Sequence, residues 1–268
     1  MSNLNLPPEA LTHLLQLTLQ DRVTGALIGS ALGDTIGLYT EFLSSSVAAK
    51  AYPSRRFTLT GPTGPTPFHL DFHRAPKDPG HWTDDTDHAL LILLAFLHGA
   101  DTRKPTPPKL PSQHDLATRL RIWARQGFPP LQTMPLGLGR LVGSVLSSSN
   151  FISDPEGRAR EAWERTGRHA APNGSLMRTH VLGLICAFGG DGPEDGGEGD
   201  GLSKAEREMF SAAASLSRVT HVDPRCVLSC VIGTTLVRGV VRGEKGRLKR
   251  TAMSMRRSYG GMSNRKTA

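Results

Sequence analysis

No apolar run in the sequence reaches the roughly 18 residues that a bilayer-spanning helix requires, so the expected partners do not include a membrane. The first residues, MSNLNLPPEALTHLL, lack the charged-then-apolar order of a secretory signal. Cysteine is scarce: Cys186, Cys226 and Cys230 make an odd number without metal-ligand spacing. Cys226 and Cys230 stand four apart on an expected helix, where they read as small apolar packing groups. An intracellular, reduced setting, cytoplasmic or nuclear, is the expectation. Strand signals are also missing: period-two alternation is hard to find and βαβ spacing is absent. The body of the chain lacks net charge as well. From Arg242 onward stand nine Lys and Arg residues against one acid, Glu244, which accounts for the whole formal excess of +8. A basic tail of this kind reads as a solvated segment, and a neutral body argues against a nucleic-acid partner.

What the 268 residues do contain is helical pattern, in a length that can bury one large core or two small ones. Apolar periodicity predicts helices at 8–19, 22–33, 36–50, 86–98, 115–126, 136–147, 156–166, 175–188, 203–218 and 224–241. The expected fold is all-α, a single compact multi-helix bundle over residues 1–241 followed by a basic tail over 242–268. Three connectors interrupt it. Residues 53–79 form a long irregular loop, of a length that usually carries function or disorder. Residues 101–114, DTRKPTPPKLPSQH, read as an extended linker, and 189–201, GGDGPEDGGEGDG, as a flexible insertion without the spacing of an EF-hand.

Within DRVTGALIGSALGDTIGLYTEF, Gly25, Gly29, Gly33 and Gly37 recur every four residues. Each costs about 1 kcal/mol against alanine inside a helix, so close approach of a neighbouring helix is the expected reason, with a turn near Gly33-Asp34. Asp34 and Glu41 would then stand beside a tight contact, where they can face a site.

Residues 80–87, GHWTDDTD, gather three aspartates directly before the apolar ALLILLAFL. One reading is structural: Thr83 caps a helix whose dipole favours acids in the first turn. The other is chemical: Thr83, Asp84 and Asp85 offer hard oxygens suited to Mg²⁺, Mn²⁺ or Ca²⁺. PNGSLMR places an Asn-Gly turn before an apolar helix, with Ser175 near its cap. It reads either as turn and cap or as a backbone cradle for phosphate; no Walker lysine follows. In THVDPR, Asp223 and Pro224 form an N-cap and first helical position. His221 just before them reads on its own as a surface histidine.

In order, GALIGSALGDTIG, GHWTDDTDHAL, PNGSLMR and THVDP resemble the ADP-ribosylglycohydrolase family, over residues 21 to about 241. The resemblance implies an all-α fold with a binuclear Mg²⁺ or Mn²⁺ centre at the base of an ADP-ribose cleft. It further implies hydrolysis of the bond joining ADP-ribose to a protein side chain or to another ADP-ribose. Under it, Glu41, Thr83, Asp84 and Asp85 are the metal-site residues, with Glu41 and the two aspartates catalytic. Asn173, Gly174, Ser175 and His221 are the substrate-binding residues. Two departures stand out. Ala170, Ala171 and Pro172 precede Asn173 where relatives carry glycine and a hydroxyl or aromatic residue. The family's second metal cluster, an aspartate-rich motif, has no counterpart, since Asp223 is the only aspartate after Gly201. The expectation is therefore a metal-dependent hydrolase of ADP-ribosylated proteins or related conjugates. The alternatives are a catalytically impaired ADP-ribose binder, a truncated gene product and a structural use of the fold.

Overall fold

The longest helix, α1 (Pro8–Gly37), opens with proline at its first turn, where a missing N–H costs nothing. It appears in a computed structural model that describes residues 7–99, 109–189 and 202–244. The expected linker at 101–114, the glycine-rich insertion and the basic tail lie largely or wholly outside those residues. The helices predicted at 8–19 and 22–33 are one, because Leu19–Arg22 contains no breaker and the chain continues through Gly33-Asp34 to Gly37. No turn forms at Asp34, since its carboxylate is used by a distant segment instead of its own backbone. The helix predicted at 36–50 is broken: residues 38–42 turn, with Phe42 at a φ of 57°. The chain re-enters helix as α2 (Ser45–Ala51), which Ser44 caps by accepting the Val47 N–H.

The remaining helices are α3 (Asp84–Gly99), α4 (Gln113–Gln126), α5 (Arg140–Leu146), α6 (Pro155–Arg165), α7 (His180–Cys186), α8 (Lys204–Arg218) and α9 (Pro224–Arg242). Among the described residues there is no strand, only an isolated bridge between Phe128 and Thr133. The all-α expectation therefore holds. Reciprocal caps, Ser112 with Asp115 and Ser203 with Glu206, start α4 and α8. Asp154-Pro155 and Asp223-Pro224 start α6 and α9, each aspartate accepting a backbone N–H. Two predicted helices start late. Pro135, Gly137 at a φ of +94° and Gly139 hold 136–139 out of α5, and residues 173–179 form turns before α7.

The core is built by α3, α4, α7, α8 and α9, with α5 and α6 closing one side. Ile92, Leu116, Leu120, Trp123, Leu182 and Leu216 are fully buried at its centre; truncating a leucine there costs about 2–5 kcal/mol. By length and composition α9 is apolar enough to cross a membrane, but here it is a core helix packed against α7 and α8. Cys226 and Cys230 are buried in it, as small packing groups.

The glycine stripe departs from expectation. Val23, Ala26, Leu27, Asp34 and Thr35 turn toward the body. Gly29, Gly33 and Gly37 share the outer face with exposed Ile28, Leu32 and Ile36. Nothing among the described residues lies within 4 Å of a side chain built at any of the four glycines. Close helix approach occurs elsewhere: a Cβ on Gly183 of α7 would lie 2.6 Å from the Thr234 carbonyl of α9.

Candidate active site

Thr83 stands at the head of α3, and its Oγ1 accepts the Asp85 N–H at 3.3 Å, the capping contact its position predicts. That cap is itself held from α1. The Asp34 carboxylate accepts from the Thr83 N–H and hydroxyl at 2.9 and 2.7 Å, and from the Thr86 N–H and hydroxyl at 3.1 and 2.7 Å. Four donors on one carboxylate fix the aspartate turn against α1.

The three aspartates then part company. Asp87 turns inward and accepts from the indoles of Trp82 and Trp123 at 2.9 and 2.8 Å, so it belongs to the core. Asp84 and Asp85 face a cleft of about 750 Å³ together with Thr83, Glu41 and His73. Gly137 presses on this group from the other side. It occupies a left-handed conformation, and a Cβ there would lie 2.2 Å from the Asp84 Oδ1. Sequence reasoning missed it by extending a helix through PLGLG, although the glycine pair was a turn signal.

Crowding leaves a clear electrostatic mark. Burial pushes the Asp84 carboxyl up to about 7, with Asp85 adding to it. Burial, then Asp34 and Glu41, raise Asp85 to about 6. Glu41 sits on the turn after α1, where its Oε2 meets the His73 Nε2 at 2.9 Å. Arg74, fully buried, ties that turn down by donating from Nε to the Leu38 carbonyl at 2.8 Å and from Nη2 to the Glu41 carbonyl.

The other lining comes from α5, α6 and the segment before α7: Arg140, Arg165, Asn173, Gly174 and Met177, with His221. Three corrections follow. Asn173 and Gly174 do line the cleft, but no helix begins there, because α7 starts only at His180. The cradle expected at a helix N-terminus is therefore not what this segment builds. Ser175 does not face the cleft. It is buried behind it, where its Oγ takes hydrogen bonds from the Ser217 hydroxyl and the Cys230 thiol at 3.1 and 3.3 Å. His221 is no surface histidine, being 1% exposed.

Gly174 makes room for that ring, since a Cβ would come within 2.9 Å of the His221 Cε1. The His221 Nδ1 lies 2.8 Å from the Thr220 Oγ1, which accepts from buried Arg178 at 2.9 Å. Burial, then Arg178, lowers His221 to about 3. The ring is thus neutral at physiological pH, a group for hydrogen bonding or stacking and not for proton transfer.

The donor set can be tested against the metal that the resemblance implies. Carboxylates of Glu41, Asp84 and Asp85 and the Thr83 hydroxyl are hard oxygens of the kind a divalent cation takes. Among the described residues, however, no three His, Cys, Asp or Glu side chains are grouped to hold an ion. Asp223, the one candidate for a second cluster, is engaged by Arg225 and by the Trp163 indole. By donor chemistry, the four oxygens suit a partly hydrated divalent cation.

The chain is 34% identical over 94 residues to the ADP-ribosylarginine hydrolase Tri1 of Serratia proteamaculans, covering 35% of this chain and 20% of that protein. It is 26% identical over 178 residues to a protein of Acanthamoeba polyphaga mimivirus, L543, whose name describes an ADP-ribosyl glycohydrolase, covering 66% and 44%. The chain thus spans less than half the length of either relative. No solved structure matches it. The ADP-ribosylglycohydrolase profile matches residues 15–263, from α1 past the end of α9 and across every motif that lines the cleft. On that match, the chain belongs to the ADP-ribosylglycohydrolase family.

Proposed function

We propose that this chain binds ADP-ribose conjugates in the cleft and hydrolyses the glycosidic bond with the aid of one divalent cation, Mg²⁺ or Mn²⁺. The observation that carries this reading is the double character of one cleft. Acidic Glu41, Asp84 and Asp85 line it together with basic Arg140 and Arg165, the latter held by its Nη2 on the Ser144 hydroxyl at 3.2 Å. Guanidinium groups suit a diphosphate, and carboxylates suit the sugar hydroxyls and the reacting bond. The volume of about 750 Å³ lies in the range of small-ligand sites.

Thr83, Asp84, Asp85 and Glu41 would hold the cation, which when bound supplies polarisation of ribose oxygens and of a water molecule. The protein groups do the rest. His73 holds the Glu41 carboxylate at 2.9 Å, leaving it placed to take a proton from the attacking water. Asp84, titrating at about 7, can carry a proton at neutral pH when no cation is present. His221, held neutral by its burial and by Arg178, binds the nucleoside part of the ligand without exchanging protons. Arg140 and Arg165 hold the anionic part.

A second reading, binding with feeble turnover, is favoured by one observation: Asp223 is committed to Arg225 and Trp163, so it is not free to bridge a second ion. ADP-ribose release from an ADP-ribosylated protein separates the two. The Serratia relative's name makes the arginine linkage the first substrate to try. Release with Mg²⁺ that is abolished in Asp84→Asn/Asp85→Asn supports hydrolysis; binding without release supports the second reading. If calorimetry detects no ADP-ribose binding, both fail.

A further inference from the structure

Lys77 lies in the irregular segment leading into the aspartate turn and is 8% exposed. Its Nζ is buried and has no hydrogen-bond partner. A buried ammonium without a partner is costly unless negative charge stands close by. That charge is present in the aspartate turn, whose Asp87 and Thr83 line the same small cavity as Lys77.

Its position relative to the turn matters more than its charge. Lys77 lines a second cavity of about 350 Å³ with Trp82, Thr83 and Asp87. Asp84 and Asp85 line the cleft, again with Thr83. Thr83 is common to both, so the aspartate turn is a partition with the cleft in front and the ammonium on the other side. A divalent cation can reach the front, and a fixed cation already stands behind.

We propose that Lys77 is the resident counter-cation of the aspartate turn, neutralising it from behind and weakening its hold on a divalent cation in the cleft. The second half rests on the cleft being a cation site, as argued above; the first half does not. A chain with one oxygen cluster thereby needs one external ion, because part of the charge is supplied by its own lysine. Removing the lysine while keeping its length should free the turn to hold metal harder.

Mn²⁺ binding followed by calorimetry and electron paramagnetic resonance reads this directly, on the parent, Lys77→Met and Lys77→Arg. The expected result is one Mn²⁺ in the parent, about tenfold tighter binding in Lys77→Met, and parental affinity in Lys77→Arg. Equal affinity in the parent and Lys77→Met, or two ions in the parent, overturns the effect on metal. A metal-free cycle guards against a merely structural lysine. Lys77→Met should lower the denaturation midpoint in the parent background, and much less in Asp84→Asn/Asp85→Asn, where the charge it answers is gone. Loss of equal size in both backgrounds overturns the counter-cation role. No Mn²⁺ binding by any variant, with the coupling intact, removes the cation from the proposed function and leaves Lys77 as the counter-charge.

Discussion

Replacing Asp84 by asparagine should stabilise the metal-free protein at pH 8, and the size of the gain follows from the burial of the carboxyl. Its titration rises from the ordinary 3.8 to about 7 in the fold. At about 1.4 kcal/mol per pH unit, keeping that group ionised in place costs at most about 4 kcal/mol, and about 2 once partial contact with the cleft is allowed for. The sign is fixed by proton counting. Between pH 4 and 7 the folded state holds a proton that the unfolded state has released, so stability falls as pH rises through this window and stays low above it. Other groups act in the opposite sense. Burial lowers His88 and His221, and each loses stability as pH falls below about 6.5. The parent's own pH profile therefore mixes the two, and the measurement is the difference between parent and Asp84→Asn. Urea unfolding in the presence of a chelator, at pH 4 and pH 8, should show that difference growing in favour of Asp84→Asn by about 2 kcal/mol. Added Mn²⁺ should reverse it, because a cation stabilises only the parent. A difference that is flat across pH, or one that moves the other way, refutes the idea that Asp84 is ionised at a cost.

Asp34→Ala removes the acceptor for four donors and should cost about 3 kcal/mol in urea unfolding, while Asp34→Asn should cost less. Gly183→Ala forces a methyl against the Thr234 carbonyl and should cost about 1–3 kcal/mol; Gly29→Ala, on the open face of α1, should instead be neutral or gain about 1 kcal/mol from helix propensity. Gly174→Ala pushes on His221 and should weaken ADP-ribose binding about tenfold by calorimetry, with a smaller effect on unfolding. Ile28→Lys/Leu32→Lys should raise solubility at unchanged unfolding midpoint, since both side chains are exposed; a drop in the midpoint would mean that this face is covered.

What the sequence made legible was mostly local chemistry. Asp223-Pro224 and Asp154-Pro155 mark helix starts because cap and proline act within one turn. Thr83, Asp84 and Asp85 were readable for the same reason. The unreadable parts depend on partners far along the chain. Asp34 meets Thr83 and Thr86 across 49 and 52 residues, so its role as an anchor left no local trace. A glycine stripe records that a face is small, not which way it turns. Four glycines on α1 face outward, while Gly183 on α7 lies against the α9 backbone. Ser175 carried a cap-like context, yet the helix begins five residues later and its hydroxyl bonds inward. His221 looked solvated because it stands in a loop just outside the start of α9; in the fold it is enclosed by Gly174, Thr220 and Arg178.

The single carboxylate that ties α1 to the aspartate turn sits at the inner end of a helix held again further out, by the packing of Val23, Ala26 and Leu27 and by Arg22 on the Val241 carbonyl. From Pro8 to Asp34 the helix runs about 39 Å at about 1.5 Å per residue. The joint lies three residues from its inner end. A swing of the outer end by several ångströms reduces to a fraction of one ångström at Asp34, and Thr83 and Thr86 receive it through two amides and two hydroxyls. Gearing of that kind protects the cleft: thermal sway along the exposed arm is scaled down before it reaches Asp84 and Asp85. It also sets a direction. Pushing sideways on the far end does little to the carboxylates, whereas rotating α1 about its own axis turns Asp34 away from all four donors at once.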